Sequence, residues 1–375
     1  MNNFLQKNPS AIILAAGLSS RMKDFKPLLP FGKTTMIETI INLFKKNNIK
    51  DIIVVTGHNS SLIKPLIEKS GGRPVFNKNF KSGMMSSIQT GIRNIQKDNP
   101  GFFLMPGDIP AVRPSTIDLM IHEFHNSTNN IILPCFDGKP GHPPLIPSYI
   151  GNDILDLKNG STLRHVLFSD KLSTIKLKVH DQGILMDADD KKQYEKVCQK
   201  FKNQYIPDKE ECLSIIDETL PQHDNIRIHM ANVSLTALKI ANAVPSELNT
   251  DLVIASALLH DIKRKKKNHA VAGAQFMKEM GFLEVSEIIA QHMDIDVDPA
   301  IDIKEKEIVY FADKICNGHN NSHGIDLNYH MRFANSIMKS PWAVSSISKR
   351  YEDTQLIQAR IEKSADRSIR EILSN

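Results

Sequence analysis

The stretch Ala11-Ile12-Ile13-Leu14-Ala15-Ala16-Gly17-Leu18-Ser19-Ser20-Arg21-Met22, followed by Lys26-Pro27-Leu28-Leu29-Pro30, decides the reading of the first half of the chain. An apolar run that ends in small residues and a glycine reads as a buried strand giving way to a loop. Leu14, Ala15, Ala16 and Gly17 would bring backbone N–H groups close to phosphate oxygens with little side chain in the way. Arg21 and Lys26 then supply fixed positive charge for a triphosphate. Two other phosphate loops fail on spacing. Gly32-Lys33-Thr34 imitates the end of a P-loop, but Pro27 stands where its first glycine must be, and no GxGxxG follows the first strand.

Outward from this stretch, apolar runs alternate with helical periodicity. DIIVVTGH, GFFLMPGD and NNIILPCF read as further strands, and MIETIINLFKKNNI carries apolar residues at helical spacing. That alternation predicts a Rossmann-like, mostly parallel α/β sheet in three layers, with ligands at the C-terminal ends of its strands. Asp108 follows one such strand, in Pro106-Gly107-Asp108-Ile109-Pro110. The acidic pair of Leu185-Met186-Asp187-Ala188-Asp189 follows another apolar run. Carboxylates from two separate strand ends suit a Mg²⁺ clamp, and Asp108 and Asp187 are the expected ligands.

Near Phe201 the pattern changes to polar residues around a proline, so a domain of 1–200, a linker of 201–212 and a second domain of 213–375 are expected. Beyond the linker almost every segment reads as helix. At 375 residues two cores are the prior expectation. A net charge of +5 suits anionic small molecules and supports no nucleic-acid partner. The four cysteines are far apart and form no CxxC pair, which fits a reducing compartment. With no apolar run approaching a membrane span and no signal-peptide core, the sequence predicts a cytoplasmic protein without a membrane partner.

LAAGLSSRM…KPLLP, the GDIP turn and the closing D-A-D…Y of Asp187, Asp189 and Tyr194 resemble the MobA-like nucleotidyltransferases. Within that group the chain looks most like molybdenum cofactor cytidylyltransferases. Asn77 with Ser82-Gly83-Met84-Met85-Ser86-Ser87, Gly141-His142-Pro143, and Gly160-Ser161-Thr162-Leu163-Arg164 support the subgroup. The resemblance implies CTP and molybdenum cofactor as substrates, with Mg²⁺, and a molybdoenzyme that receives the product. LAAG in place of LAGG implies CTP over GTP. Arg21, Lys26 and Asp108 would be catalytic, while Gly83, Ser86 and Ser87 would contact the nucleotide where a helix opens. His142 is expected either to face the acceptor or to be a structural histidine. Lys23 and Asp190-Lys191-Lys192-Gln193 depart from the family pattern. The second departure leaves Asp187 less secure as a ligand than Asp108. A sugar, polyol or isoprenoid phosphate remains open as the acceptor.

In the helical half, His229, then His260-Asp261, then Asp313 resemble in their order the HD superfamily of metal-dependent phosphohydrolases. The resemblance implies an all-α bundle in which these four residues bind a divalent transition metal such as Mn²⁺ or Fe²⁺. His269 and His292 fall where two-metal members place extra histidines. Arg264 stands where many members carry lysine, which implies a phosphate contact. A ligand-sensing role without turnover stays open beside the hydrolase.

Overall fold

The computed structural model describes residues 7–17, 24–127, 130–157, 162–167, 172–316 and 329–374. Among the expected site residues, Arg21 lies outside these, as do Gly160 and Ser161. The chain divides into two compact units, Met1–Gln204 and Tyr205–Asn375.

The first unit contains β1 (Ser10–Ala15), β2 (Pro30–Phe31), β3 (Thr34–Thr35), α1 (Met36–Lys46), β4 (Ile52–Thr56), α2 (Ser60–Ser70), β5 (Arg73–Phe76) and α3 (Met84–Ile92). It continues with β6 (Gly101–Pro106), α4 (Pro114–Asn126), β7 (Ile131–Phe136), β8 (Lys139–Pro140), β9 (Leu145–Pro147), α5 (Ile150–Leu155), α6 (Leu163–Leu167), β10 (Thr174–Lys178) and α7 (Lys191–Lys202). The main sheet has the order β10-β7-β9-β6-β1-β4-β5, with β8 paired to β7. Within it β1 runs parallel to β4 and β6, and among its described strands only β8 and β9 run antiparallel to their neighbours; β2 and β3 pair antiparallel in a separate two-stranded sheet.

Successive residues of a strand face opposite sides, and both sides here are apolar. Ala11, Ile13, Val54, Phe103 and Met105 join one core with residues of α1, α2 and α4. Ile12, Ile53, Val55, Phe102 and Leu104 join a second core with α3, α5 and α6. The result is the expected three-layer, mostly parallel sheet. From β1 the chain steps outward through β4 and β5, then returns to lay β6 on the other side of β1. Strand order reverses between β1 and β6, which opens a crevice at their C-terminal ends.

That crevice depends on Gly107. Its N–H donates to the carbonyl of Leu14 at 3.0 Å, and a Cβ there would meet the same oxygen at 2.7 Å. Gly107→Ala is therefore expected to destabilise the unit by about 1–3 kcal/mol, read as a lowered melting temperature. An unchanged melt would mean the two strand ends can separate freely.

Among its described residues the regular elements of the second unit are helices: α8 (Lys209–Thr219), α9 (Asp224–Ala243), α10 (Thr250–Leu259), α11 (His269–Glu279), α12 (Leu283–Ala290), α13 (Glu305–Ile315), α14 (Tyr329–Lys339), α15 (Val344–Ala365) and α16 (Ile369–Ser374). α10 is apolar on nearly every side and sits centrally, with α9, α12 and α13 packed around it. No described helix is long and apolar enough to cross a membrane.

The expected linker 201–212 is largely ordered. Phe201 belongs to α7 and packs its ring 4.5 Å from that of Phe31. α8 opens inside the same stretch on a capping box of Asp208 and Glu211, and Cys212 is buried. Six residues lie outside regular secondary structure between α7 and α8, so 203–208 is the connecting segment.

Candidate functional sites

In the first unit, a cavity of about 460 Å³ opens at the β1/β6 crevice. Leu14, Ala15, Ala16 and Gly17 line it from the end of β1, and Pro106, Gly107 and Asp108 from the end of β6. Lys26 and Pro27 form a third side, and Phe80, Lys81, Gly83, Met84 and Ser87 the fourth. Lys26 Nζ lies 3.3 Å from Asp108 Oδ2 and 2.8 Å from Asp189 Oδ1. Ala188 fixes this convergence by donating its N–H to the Asp108 carbonyl at 2.9 Å. Asp189 thus meets Asp108 on Lys26, and Asp187, the member of the same acidic pair expected from the sequence, lies two residues before it.

The α3 wall is built by a buried polar knot. Asn77, 2% exposed, donates through Nδ2 to Ser86 Oγ at 2.9 Å and Ser87 Oγ at 3.0 Å. Its Oδ1 accepts from the N–H of Asn79. Gly83, at φ +95°, makes the sharp entry into α3 that a side chain would strain. Ser87 lines the cavity as expected. Ser86 instead faces the loop, with its hydroxyl within 2.8 Å of the carbonyls of Asn79 and Gly83. It staples the loop that leads into α3. Asn77 organises the wall, yet its sequence signal was only its place before Ser82-Gly83. Phe80 and Lys81 carry no sequence signal, and Met84 carries one only as a member of the Ser82–Ser87 motif.

His142 has a ring Nδ1 that is buried without a hydrogen-bond partner. Burial pushes its pKa down, partly opposed by the charge of Asp108, so the neutral ring lies within electrostatic reach of the cavity's carboxylate. Tyr194 donates to the carbonyl of Pro30 and so ties α7 to β2.

In the second unit, α9, the start of α11, α13 and the turns after α10 and α12 bring six expected residues together. His260 and Asp261 leave the end of the buried α10, His229 comes from α9 and Asp313 from α13. His229 Nε2 is 3.1 Å from Asp313 Oδ1 and 3.9 Å from Asp261 Oδ2. His260 Nε2 is 3.4 Å from Asp313 Oδ1 and 3.6 Å from Asp261 Oδ2. The other oxygen of Asp261, Oδ1, lies 3.3 Å from His269 Nε2 and 3.6 Å from His292 Nε2. Asp261 therefore divides its two oxygens between two clusters of ligand atoms, a first half-site and a second.

This geometry fits divalent cations. The Nδ1 atoms of His260 and His292 lie 2.8 and 2.7 Å from the carbonyls of Ala257 and Ile289, so these nitrogens must carry the protons. Each Nε2 is then the nitrogen left to face Asp261; at His260 burial disfavours a proton there, but nearby Asp313 and Asp261 outweigh it and raise the pKa, so a metal would displace that proton. Both Nε2 atoms are buried with no hydrogen-bond partner, an arrangement that costs about 1–3 kcal/mol per group unless a ligand meets it. Burial alone would raise the Asp261 carboxyl, but the contact with His292 and the charge of His260 outweigh it and hold the group ionised. Burial pushes His269 down to about 4, which keeps that imidazole neutral as a metal ligand must be.

A parallel sheet with a small-residue turn and two converging carboxylates at its switch point is the build of a nucleotidyltransferase, and known proteins agree. Residues 11–174 match the MobA-like NTP transferase domain, and residues 226–318 match the HD domain. The chain is 30% identical over 183 residues to molybdenum cofactor cytidylyltransferase of Escherichia coli, covering 48% of this chain and 89% of the relative. It is 28% identical over 172 residues to a probable molybdenum cofactor guanylyltransferase of Natranaerobius thermophilus, covering 45% and 80%. A solved nucleotidyl transferase from Methanothermobacter aligns at TM-score 0.47 and 21% identity, over 52% of this chain and 99% of that one. The chain belongs to the MobA-like NTP transferase family and carries an HD domain in its second unit.

Proposed function

We propose that the first unit transfers CMP from CTP to the terminal phosphate of the molybdenum cofactor, with release of pyrophosphate. The observation that carries this reading is the convergence of Asp108, Asp189 and Lys26 beside the open Ala15-Ala16-Gly17 turn. Magnesium bound by Asp108 and Asp189, with Asp187 alongside, would supply charge neutralisation at the α-phosphate. The bare backbone of Ala15, Ala16 and Gly17 admits the phosphates, and Lys26 with Arg21 holds the triphosphate. Gly83 and Ser87 hold the nucleotide from the α3 side, while His142 is assigned to the acceptor. An oxygen of the acceptor phosphate forms the new bond to the α-phosphorus as the bond to pyrophosphate breaks.

The second unit, on the same proposal, is a metal-dependent phosphohydrolase. His229, His260, Asp261 and Asp313 would hold one Mn²⁺ or Fe²⁺, and Asp261, His269 and His292 a second. Bound metal supplies an activated water near neutral pH. Arg264 is the group placed for a substrate phosphate. The fusion of the two units points to a nucleotide or a nucleotide-linked cofactor as the substrate, and the transferase product would pass to a molybdoenzyme.

Incubating the full chain with each nucleoside triphosphate, Mg²⁺ and molybdenum cofactor tests the transferase assignment. CMP is the nucleotide expected on the cofactor, by about tenfold or more over GMP in kcat/KM, since a pocket that hydrogen-bonds one base leaves its polar groups unpaired with another. Equal or greater GMP transfer would overturn the base assignment. Transfer to a sugar or polyol phosphate but not to the cofactor would overturn the acceptor.

A further inference from the structure

Among the described residues, one lysine and one arginine touch the carboxylates of Asp261 and Asp313, and they touch them differently. Lys314 Nζ lies 2.7 Å from Asp313 Oδ2 and donates to the carbonyl of His292 at 2.9 Å. It thus grips the oxygen of Asp313 other than Oδ1, the one that faces His229 and His260. Its side chain is nearly buried, so it is a fixed strut.

Arg264 stands on the ligand atoms themselves. Its Nη1 is 3.1 Å from His269 Nε2 and 3.4 Å from Asp261 Oδ1. A guanidinium can only donate, so the Nε2 of His269 must accept through the lone pair that a metal would use. Asp261 Oδ1 is likewise the oxygen that faces His269 and His292. The side chain of Arg264 is 50% exposed, and its neighbour Lys263 is turned aside, with Nζ 3.4 Å above the ring of Phe276. Arg264 can therefore leave toward solvent without breaking the core.

We propose that Arg264 gates the second half-site: its guanidinium holds His269 and Asp261 until a divalent cation displaces it, and the displaced guanidinium then takes an anionic oxygen of the substrate. The inference rests on the metal-dependent reading of this unit. By linkage, a tetrahedral dianion that draws Arg264 outward should tighten the second metal step, and the second metal should tighten the dianion equally. The first half-site uses Asp261 Oδ2 and is not contacted by Arg264, so it should be indifferent.

The test is calorimetric titration of Mn²⁺ into the full chain, for wild type, Arg264→Ala, Arg264→Gln and His269→Ala. Two steps are expected in wild type, with the weaker one lost in His269→Ala. Both Arg264 variants should tighten the second step about tenfold, as expected for removing a charge-assisted competitor, and leave the first unchanged. Inorganic sulfate, used as the dianion probe, should tighten the second step in wild type and not in Arg264→Ala. An unchanged or weakened second step in both variants overturns the gate, and so does the absence of a second step from every protein. Loss of the first step in wild type would instead overturn the metal-dependent reading on which the gate rests.

Discussion

Replacing Asp108 with asparagine is expected to lower kcat for nucleotide transfer by on the order of a hundredfold or more, with little change in KM for CTP. The substitution keeps the shape of the side chain and a hydrogen-bonding oxygen for Lys26, 3.3 Å away, but removes the charge. Phosphoryl chemistry spreads negative charge over the reacting phosphate, so the loss falls on the transition state more than on the bound substrate. Steady-state kinetics with CTP and molybdenum cofactor measures it. A near-normal rate would place the chemistry away from the β1/β6 crevice. The same variant tests Lys26 indirectly, because asparagine leaves Asp189, at 2.8 Å, as its remaining charged partner of the two.

The second large effect is expected in the helical unit. With Mn²⁺ at a hundredfold excess over Kd, binding to the native state alone should stabilise this unit by about 2.7 kcal/mol. His260→Ala should remove most of that metal-induced rise in melting temperature and abolish metal-dependent turnover of nucleotides. Partners that merely orient ligands already cost roughly 10–100-fold in affinity when lost, and His260 is a direct ligand in the proposed set. Because His260 is fully buried, alanine also leaves a cavity. Comparing each protein with and without metal cancels that cost. A full metal-induced rise in the variant would exclude His260 from the ligand set. Metal binding in wild type with no turnover of any nucleotide or cyclic nucleotide would make the unit a sensor.

What the sequence disclosed followed from how strongly each segment was patterned. β1, β4, β6 and β7 are continuous apolar runs buried on both faces, and no other structure suits such runs in an alternating chain. β5 and β9 each contain proline within three or four residues, and β10 alternates isoleucine and leucine with lysines, so none stood out from loop. The start of α8 was legible in principle, since Asp208 and Glu211 have capping-box spacing, but Pro207 drew the reading toward a linker.

The sites divided along the same physical line. The clustered histidines and aspartates of the second unit are legible because their chemistry is borne by residue type and order, and folding has only to bring them together. Spacing alone does not rank Asp187 and Asp189, since the Ala188–Asp108 hydrogen bond that accompanies Asp189 on Lys26 forms only in the folded chain. Ser86 and Ser87 differ in surroundings although adjacent and both held by Asn77, because the loop carbonyls of Asn79 and Gly83 meet only Ser86. Neither distinction exists until the chain has folded.

The two half-sites of the helical unit are mounted on very different supports. His260 and Asp261 end a helix whose residues Leu252, Val253, Ala255, Ser256, Ala257, Leu258 and Leu259 are all buried, so nearly any change along it disturbs packing. His269 opens α11, where exposed Val271 and half-exposed positions leave room for substitution. Inherited variation can therefore retune the second half-site, and the arginine beside it, while the first stays frozen. A lineage carrying this architecture could move between one-ion and two-ion chemistry by changes at a helix tip, with its central rod untouched.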